Sequence, residues 1–249
     1  MRSALIVALD DEARLEAALA SGADALVIDL ARGLPETQLR AARRLAATAL
    51  RAAAARRPGP RMLVRINPLE TATAEEDLDA VMPAEPAGIL LPGSLGGASV
   101  QRLGVKLAIR EARFGLADGA TRIIATATDT AQALFGLESY RGCSGRLAGL
   151  VWSDAGLTRD LGAEPGAGPL RLARDWTLLG AIAAGVTPID GPFRDAADRD
   201  GLRAEAIAAR RDGFRAKLAV DAAQVAIINE IFGAAAPAEA PAPEQPSIG

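Results

Sequence analysis

Any chemistry in this sequence has to be built without histidine, which is absent from all 249 residues. That excludes Ser-His-Asp and Cys-His nucleophilic machinery and any His-ligated zinc. Acid–base or metal chemistry must come from carboxylates, Lys, Tyr, Arg or bound water. Arg65 is the leading candidate. It stands inside an apolar run, MLVRIN, where a cation needs an acidic partner or an anionic ligand. One reading is a guanidinium fork on a substrate carboxylate or thioester oxygen; the other is an internal ion pair with Asp29. Asp29 closes the run LVIDL and either orients Arg65 or a metal-bound water, or caps the next turn. Asp190, in TPIDG, allows the same two readings.

Weaker signals lie nearby. The glycine-rich stretch LPGSLGGAS, Leu91 to Ser99, with Ser94 within it, can aim backbone N–H groups at a phosphate or carboxylate, but it lacks the spacing of a phosphate-binding or dinucleotide fingerprint and reads in preference as a flexible turn. Trp152, Ser153 and Asp154 follow an apolar run, and Asp154 is the acid there that can reach a cation. Lys217, in RAKLAV, reads as an ion-pair partner in preference to a Schiff-base former. Cys143 is the single cysteine; it has no base to activate it and permits no intramolecular disulfide.

The elements that must position these residues alternate along the chain. Near-continuous apolar runs occur at Ala4–Leu9, Ala25–Leu30, Met62–Ile66, Gly88–Leu91, Arg122–Thr126, Leu147–Trp152, Val186–Asp190 and Phe214–Val220. Such runs suit parallel strands buried on both faces. Helical patterns fill the intervals at Glu12–Ala20, Glu36–Arg56, Ala74–Val81, Ala98–Arg113, Asp129–Glu138, Leu170–Ala184, Gly201–Arg211 and Ala222–Phe232. Gly22 and Gly185 sit where helix stops belong. Eight such units predict an α/β fold, a parallel eight-stranded (β/α)8 barrel over residues 1–233. In that fold the site lies at the strand C-termini, which collects Asp10, Asp29, Arg32, Arg65, Asn67, Ser94, Thr126, Thr128, Ser153, Asp154 and Asp190 into one shortlist. Residues 234–249, AAPAEAPAPEQPSIG preceded by Ala, read as a disordered Pro/Ala-rich tail.

Composition bounds the rest. Apolar residues make up 50% of the chain and aromatics only 3%, so Ala, Leu and Val must do the packing. A formal charge of −3 gives no reason to expect nucleic acid. No apolar run approaches the ~18 residues of a membrane span, and the N-terminal stretch is too soon broken by acids to act as a signal. A cytoplasmic location is expected.

Several stretches, in order, resemble the citrate lyase β-subunit-like branch of the HpcH/HpaI aldolase superfamily. MRSALIVAL with ARLEAALASGADALVIDL resembles the opening two units, MLVRIN the "RVN" strand, and GILLP the fourth strand. GVTPIDGPFRDAADRDGLRAEAIAARRDGFRAKLAVDAAQVAIIN resembles the C-terminal pattern. The resemblance implies a (β/α)8 barrel in trimers or hexamers, with lyase chemistry on CoA thioesters such as citryl-CoA or malyl-CoA, assisted by Mg2+. The departures fall on that chemistry. Ala31 and Arg32 stand where the family has acids after Asp29, and Gly93 and Leu95 replace a lysine and an acid. The metal-ligating glutamate falls on Ala125 and the arginine after it on Thr128. The second metal ligand falls on Gly156, two positions after Asp154, and a histidine falls on Asp221. Asp29, Arg65, Asp190, Lys217 and Gln224 are retained.

The expectation is therefore a divergent carbon–carbon lyase for a small acyl-CoA or 2-oxo acid. Arg65 and Asp29 would be catalytic, and Arg65, Asn67, Ser94 and Asp190 would bind substrate. Asp154 is the candidate metal residue, with Mg2+ held weakly or not at all, since a carboxylate replaced by methyl or hydrogen loses charge and donor together. The alternative is a catalytically silent barrel that binds an acyl-CoA or a partner subunit.

Overall fold

Strand follows helix from end to end: β1 (Ser3–Val7), α1 (Glu12–Leu19), β2 (Ala25–Asp29), α2 (Glu36–Ala54), β3 (Arg61–Arg65), α3 (Thr73–Val81), β4 (Gly88–Leu91), α4 (Gly97–Phe114), β5 (Arg122–Thr126), α5 (Ala131–Leu134), β6 (Leu147–Val151), α6 (Asp154–Leu161), α7 (Gly168–Ala183), β7 (Thr187–Asp190), α8 (Arg199–Asp212), β8 (Ala216–Ala219) and α9 (Ala222–Gly233). This computed structural model describes residues 1–8, 12–56 and 58–233; Asp10 and the expected tail at 234–249 lie outside them. All neighbouring strands pair in parallel, and β1 also pairs with β8, closing an eight-stranded barrel. Among the described residues no helix is long and apolar enough to cross a membrane.

The two-residue period of a strand sorts side chains into two apolar layers. Ala4, Ala25, Val27, Leu63, Leu90, Ile124, Val151, Ile189, Ala216 and Leu218 fill the barrel interior. Their alternates, including Leu5, Leu26, Ile28, Met62, Val64, Ile89, Leu91, Ile123 and Ala125, pack outward against the helices. Mixing Ala with Leu, Val and Ile lets side chains of different size fill the barrel interior with few aromatics.

Two helical expectations differ. The stretch expected as one helix from Asp129 to Glu138 is the single turn α5 followed by a 3-10 turn, Leu137–Tyr140. Gly136 breaks it: a Cβ there would collide with the Leu95 carbonyl, so the chain bends to let the β4–α4 loop pass. Conversely, α6 was not foreseen. It is a two-turn helix that ends on the left-handed Gly162.

Candidate functional site

Asp29 and Arg65 end adjacent strands and are register partners. Each continues the inward series on its strand, after Val27 and Leu63, so both side chains enter the barrel mouth. There they line a cavity of about 860 Å3 together with Ile6, Leu90, Thr126, Val151 and Leu218 on its floor and Asp129, Arg159, Asp160 and Arg194 from the loops and α6. That volume suits a small-molecule site. Arg65 Nη1 lies 3.5 Å from Asp29 Oδ2, an ionic contact looser than a good hydrogen bond. Asp29 Oδ1 accepts the Ala31 N–H at 2.9 Å, which fixes the carboxylate at the strand end. The Arg65 side chain remains about one-third exposed, with 32% accessible. Its guanidinium thus faces the cavity with donors to spare.

Asp129 faces the same cavity from the β5–α5 loop. Its Oδ2 accepts the Gly93 N–H at 2.8 Å, tying it to the β4–α4 loop. Burial pushes its carboxyl above the ordinary value, against the Gly93 N–H and the charges of Arg65 and Arg159, which pull it down. Gly156 makes the room. A Cβ at 156 would lie 2.7 Å from Asp129 Oδ1 and 2.8 Å from its carbonyl oxygen, closer than real contacts allow.

The remaining sequence candidates disperse. Asn67 is held by Asp77, to which its N–H and Nδ2 both donate at 2.8 Å. Ser94 is buried under Tyr140, whose hydroxyl donates to its Oγ at 2.7 Å; burial pushes that phenol up to about 12. Asp190 points outward because Ile189 before it points into the barrel. Its carboxylate pairs with Lys217 Nζ at 2.7 Å and Arg174 Nε at 2.8 Å. Lys217 also reaches Glu205, so it is an ion-pair lysine. Thr128 meets Thr177 under the helix layer. Asp154 pairs with Arg194 at 2.8 Å and borders a smaller neighbouring cavity with Asp190 rather than the mouth. Ser153 does line the mouth. Burial raises the Cys143 thiol, consistent with an unactivated cysteine.

Four charged mouth residues, Asp129, Arg159, Asp160 and Arg194, were not singled out in the sequence. Asp129 lies beyond the strand in ATATDT, a stretch with no pattern to mark it, and the arginines look like surface positions of helix and loop. Geometry also moves one assignment: Ala125 packs outward, and the β5 position that faces the mouth is Thr126.

The lining does not fit a divalent cation held as carboxylate sites hold Mg2+. Among the described residues its three acids are each committed to a different element: Asp29 to Arg65 and Ala31, Asp129 to Gly93, and Asp160 to the Ala131 N–H at 2.8 Å. Among the described residues no three acidic, cysteine or histidine side chains converge.

The relatives of this chain agree with the barrel. A citrate lyase subunit beta-like protein of Deinococcus radiodurans is 33% identical over 86% of this chain and 73% of its own length. A (3S)-malyl-CoA thioesterase of Cereibacter sphaeroides is 29% identical over 93% of this chain and 76% of its own. Among solved structures, the citrate lyase beta subunit of Mycobacterium tuberculosis complexed with oxaloacetate and magnesium superposes with a TM-score of 0.75 at 26% identity, covering 93% of this chain and 96% of that one. The model of the HpcH/HpaI aldolase/citrate lyase family matches residues 2–222, and the chain belongs to that family.

Proposed function

We propose that this protein is a divergent carbon–carbon lyase acting on a small acyl-CoA or 2-oxo acid at the barrel mouth. One observation carries the reading: Arg65 presents a guanidinium to the cavity, and among the described residues its one ion-pair contact, with Asp29, is a loose 3.5 Å. A planar cation with free donors binds a carboxylate or a thioester oxygen, and it binds an enolate better still, because negative charge concentrates on that oxygen as the carbon–carbon bond breaks. The names of the relatives, citrate lyase beta and malyl-CoA thioesterase, supply the substrate class. Mg2+ is expected to bind at millimolar strength or not at all, on the order of a site with two unsupported carboxylates. The same reading places the protein in the cytoplasm as a homo-oligomer, trimer or hexamer, with no nucleic-acid or membrane partner.

The test is calorimetric binding of oxaloacetate and acetyl-CoA, with a cleavage assay on citryl-CoA and malyl-CoA. Arg65→Ala should weaken oxaloacetate binding by about 10- to 100-fold, the equivalent of roughly 1.5–3 kcal/mol for a charge-assisted pair. Unchanged affinity in a folded variant would remove Arg65 from the site.

A second reading rests on the dispersal of the acids: a silent barrel that binds an acyl-CoA or a partner subunit and supports an active relative. Micromolar ligand binding without cleavage of either thioester would favour it.

A further inference from the structure

The mouth lacks a carboxylate at 156 yet gains one in the same space. Gly156 belongs to the first turn of α6, and its missing side chain leaves a pocket filled by Asp129 Oδ1. The other oxygen, Oδ2, is anchored by the Gly93 N–H. The carboxylate is therefore pinned by one oxygen, while the second lies against Gly156, and both residues line the cavity. Arg65 from β3 and Arg159 from α6 act on it electrostatically, and the Tyr140 phenol lies behind it. No acid converges with it to assemble a cation site among the described residues. A half-buried carboxylate facing a guanidinium across a substrate-sized cavity is an arrangement for moving a proton.

We propose that Asp129 is the catalytic proton-transfer group of this site and that cleavage runs without a divalent cation, Arg65 supplying the positive charge. The inference rests on the lyase reading above and extends it to the reacting atoms. The substrate class is a 3-hydroxyacyl thioester carrying a further carboxylate. Asp129 Oδ1 takes the proton of the 3-hydroxyl, whose oxygen becomes a carbonyl. The C2–C3 bond breaks, and its electron pair passes to the thioester as an enolate facing Arg65. Asp129 then returns the proton to C2, giving an acyl thioester and a 2-oxo acid. Atoms and electrons balance with no added reactant. Burial supports the role, because a carboxyl held above its ordinary value is a better base than a free one and can still give its proton back.

The full-length protein, treated with EDTA, is assayed for malyl-CoA cleavage and for exchange of the acetyl-CoA methyl protons in D2O. Oxaloacetate affinity is measured in parallel. Wild type should show both activities in EDTA. Asp129→Asn keeps an acceptor for Gly93 N–H and should fold; it should lose at least 100-fold in cleavage and exchange while oxaloacetate affinity changes less than threefold. Gly156→Ala, which pushes Oδ1 from its seat, should lower both activities at least tenfold. A structural role alone would instead move affinity and turnover together. Exchange that survives in Asp129→Asn overturns the proposal. So does activity that EDTA abolishes and Mg2+ restores, and so does wild type that binds oxaloacetate but neither cleaves nor exchanges. Absence of both binding and activity overturns the lyase reading itself, and the oxaloacetate measurement separates that failure from the others.

Discussion

At the scale of single residues, the site separates two kinds of inherited charge. Asp190, Lys217 and Gln224 hold the outer layer: Asp190 pairs with Lys217, while Gln224 accepts the Val220 N–H at 2.9 Å and donates to the Phe193 carbonyl at 2.8 Å. Only Asp29 and Arg65 of the retained set face the cavity. Asp129 is a group held at an energetic cost, as functional carboxylates often are. Its folded-state carboxyl is raised, so its contribution to stability is complete below the unfolded value of ~3.9 and is lost as pH rises through the folded value. Asp129→Asn should therefore be more stable than wild type at neutral pH, the gain vanishing in acid. Urea denaturation at a series of pH values checks this; a variant less stable than wild type at pH 7 would show that the carboxylate serves the fold.

At the scale of elements, α4 is bound to the sheet through one acid. Glu111 is buried and accepts the Thr121 N–H at 2.9 Å, the Gly119 N–H at 3.0 Å and both Arg146 terminal nitrogens at 2.7–2.8 Å. Burial alone would raise its carboxyl, but Arg146 and the two backbone N–H groups outweigh it and hold the group below its ordinary value. A depressed carboxyl gives stability that is present above the unfolded value and lost as pH falls through the folded one. Glu111→Ala leaves Arg146 to Asp118 and the Thr121 carbonyl and removes the acceptor of two N–H groups, and should cost about 1–3 kcal/mol. Chemical denaturation checks the magnitude, and a loss under about 1 kcal/mol would mean that water replaces the carboxylate. The α6 helix matters differently. It carries Gly156 and Arg159 into the mouth, so the β6–α7 crossover is part of the site.

At the scale of the whole molecule, the barrel leaves an apolar stripe uncovered. Leu172 (55% accessible), Trp176 (40%), Leu179 (64%) and Ile182 (57%) run along α7, and a monomer has no reason to keep such a row in water. This agrees with the homo-oligomer proposed above. Sedimentation velocity should give three or six times the chain mass, and Leu179→Arg should shift it toward the monomer. A monomeric wild type at micromolar concentration would contradict the trimer or hexamer.

The barrel is legible in the primary structure, because eight apolar runs separated by helical patterns admit few other closures, and the absence of histidine narrows the chemistry. The sequence also offers Asp29 as one of two partners for Arg65, since each ends a strand and strand ends share one face; the structure makes the two register partners. Direction and neighbourhood come from the folded chain alone. One residue along a strand separates the cavity from the helix layer, so Asp190 and Ala125 face away while Thr126 faces in. The seat of Asp129 depends on the emptiness at Gly156 and the N–H of Gly93, 27 and 36 residues away, a three-way contact that no local pattern encodes. Loops carry no hydrophobic period; their side chains are placed by whichever walls the barrel brings beside them.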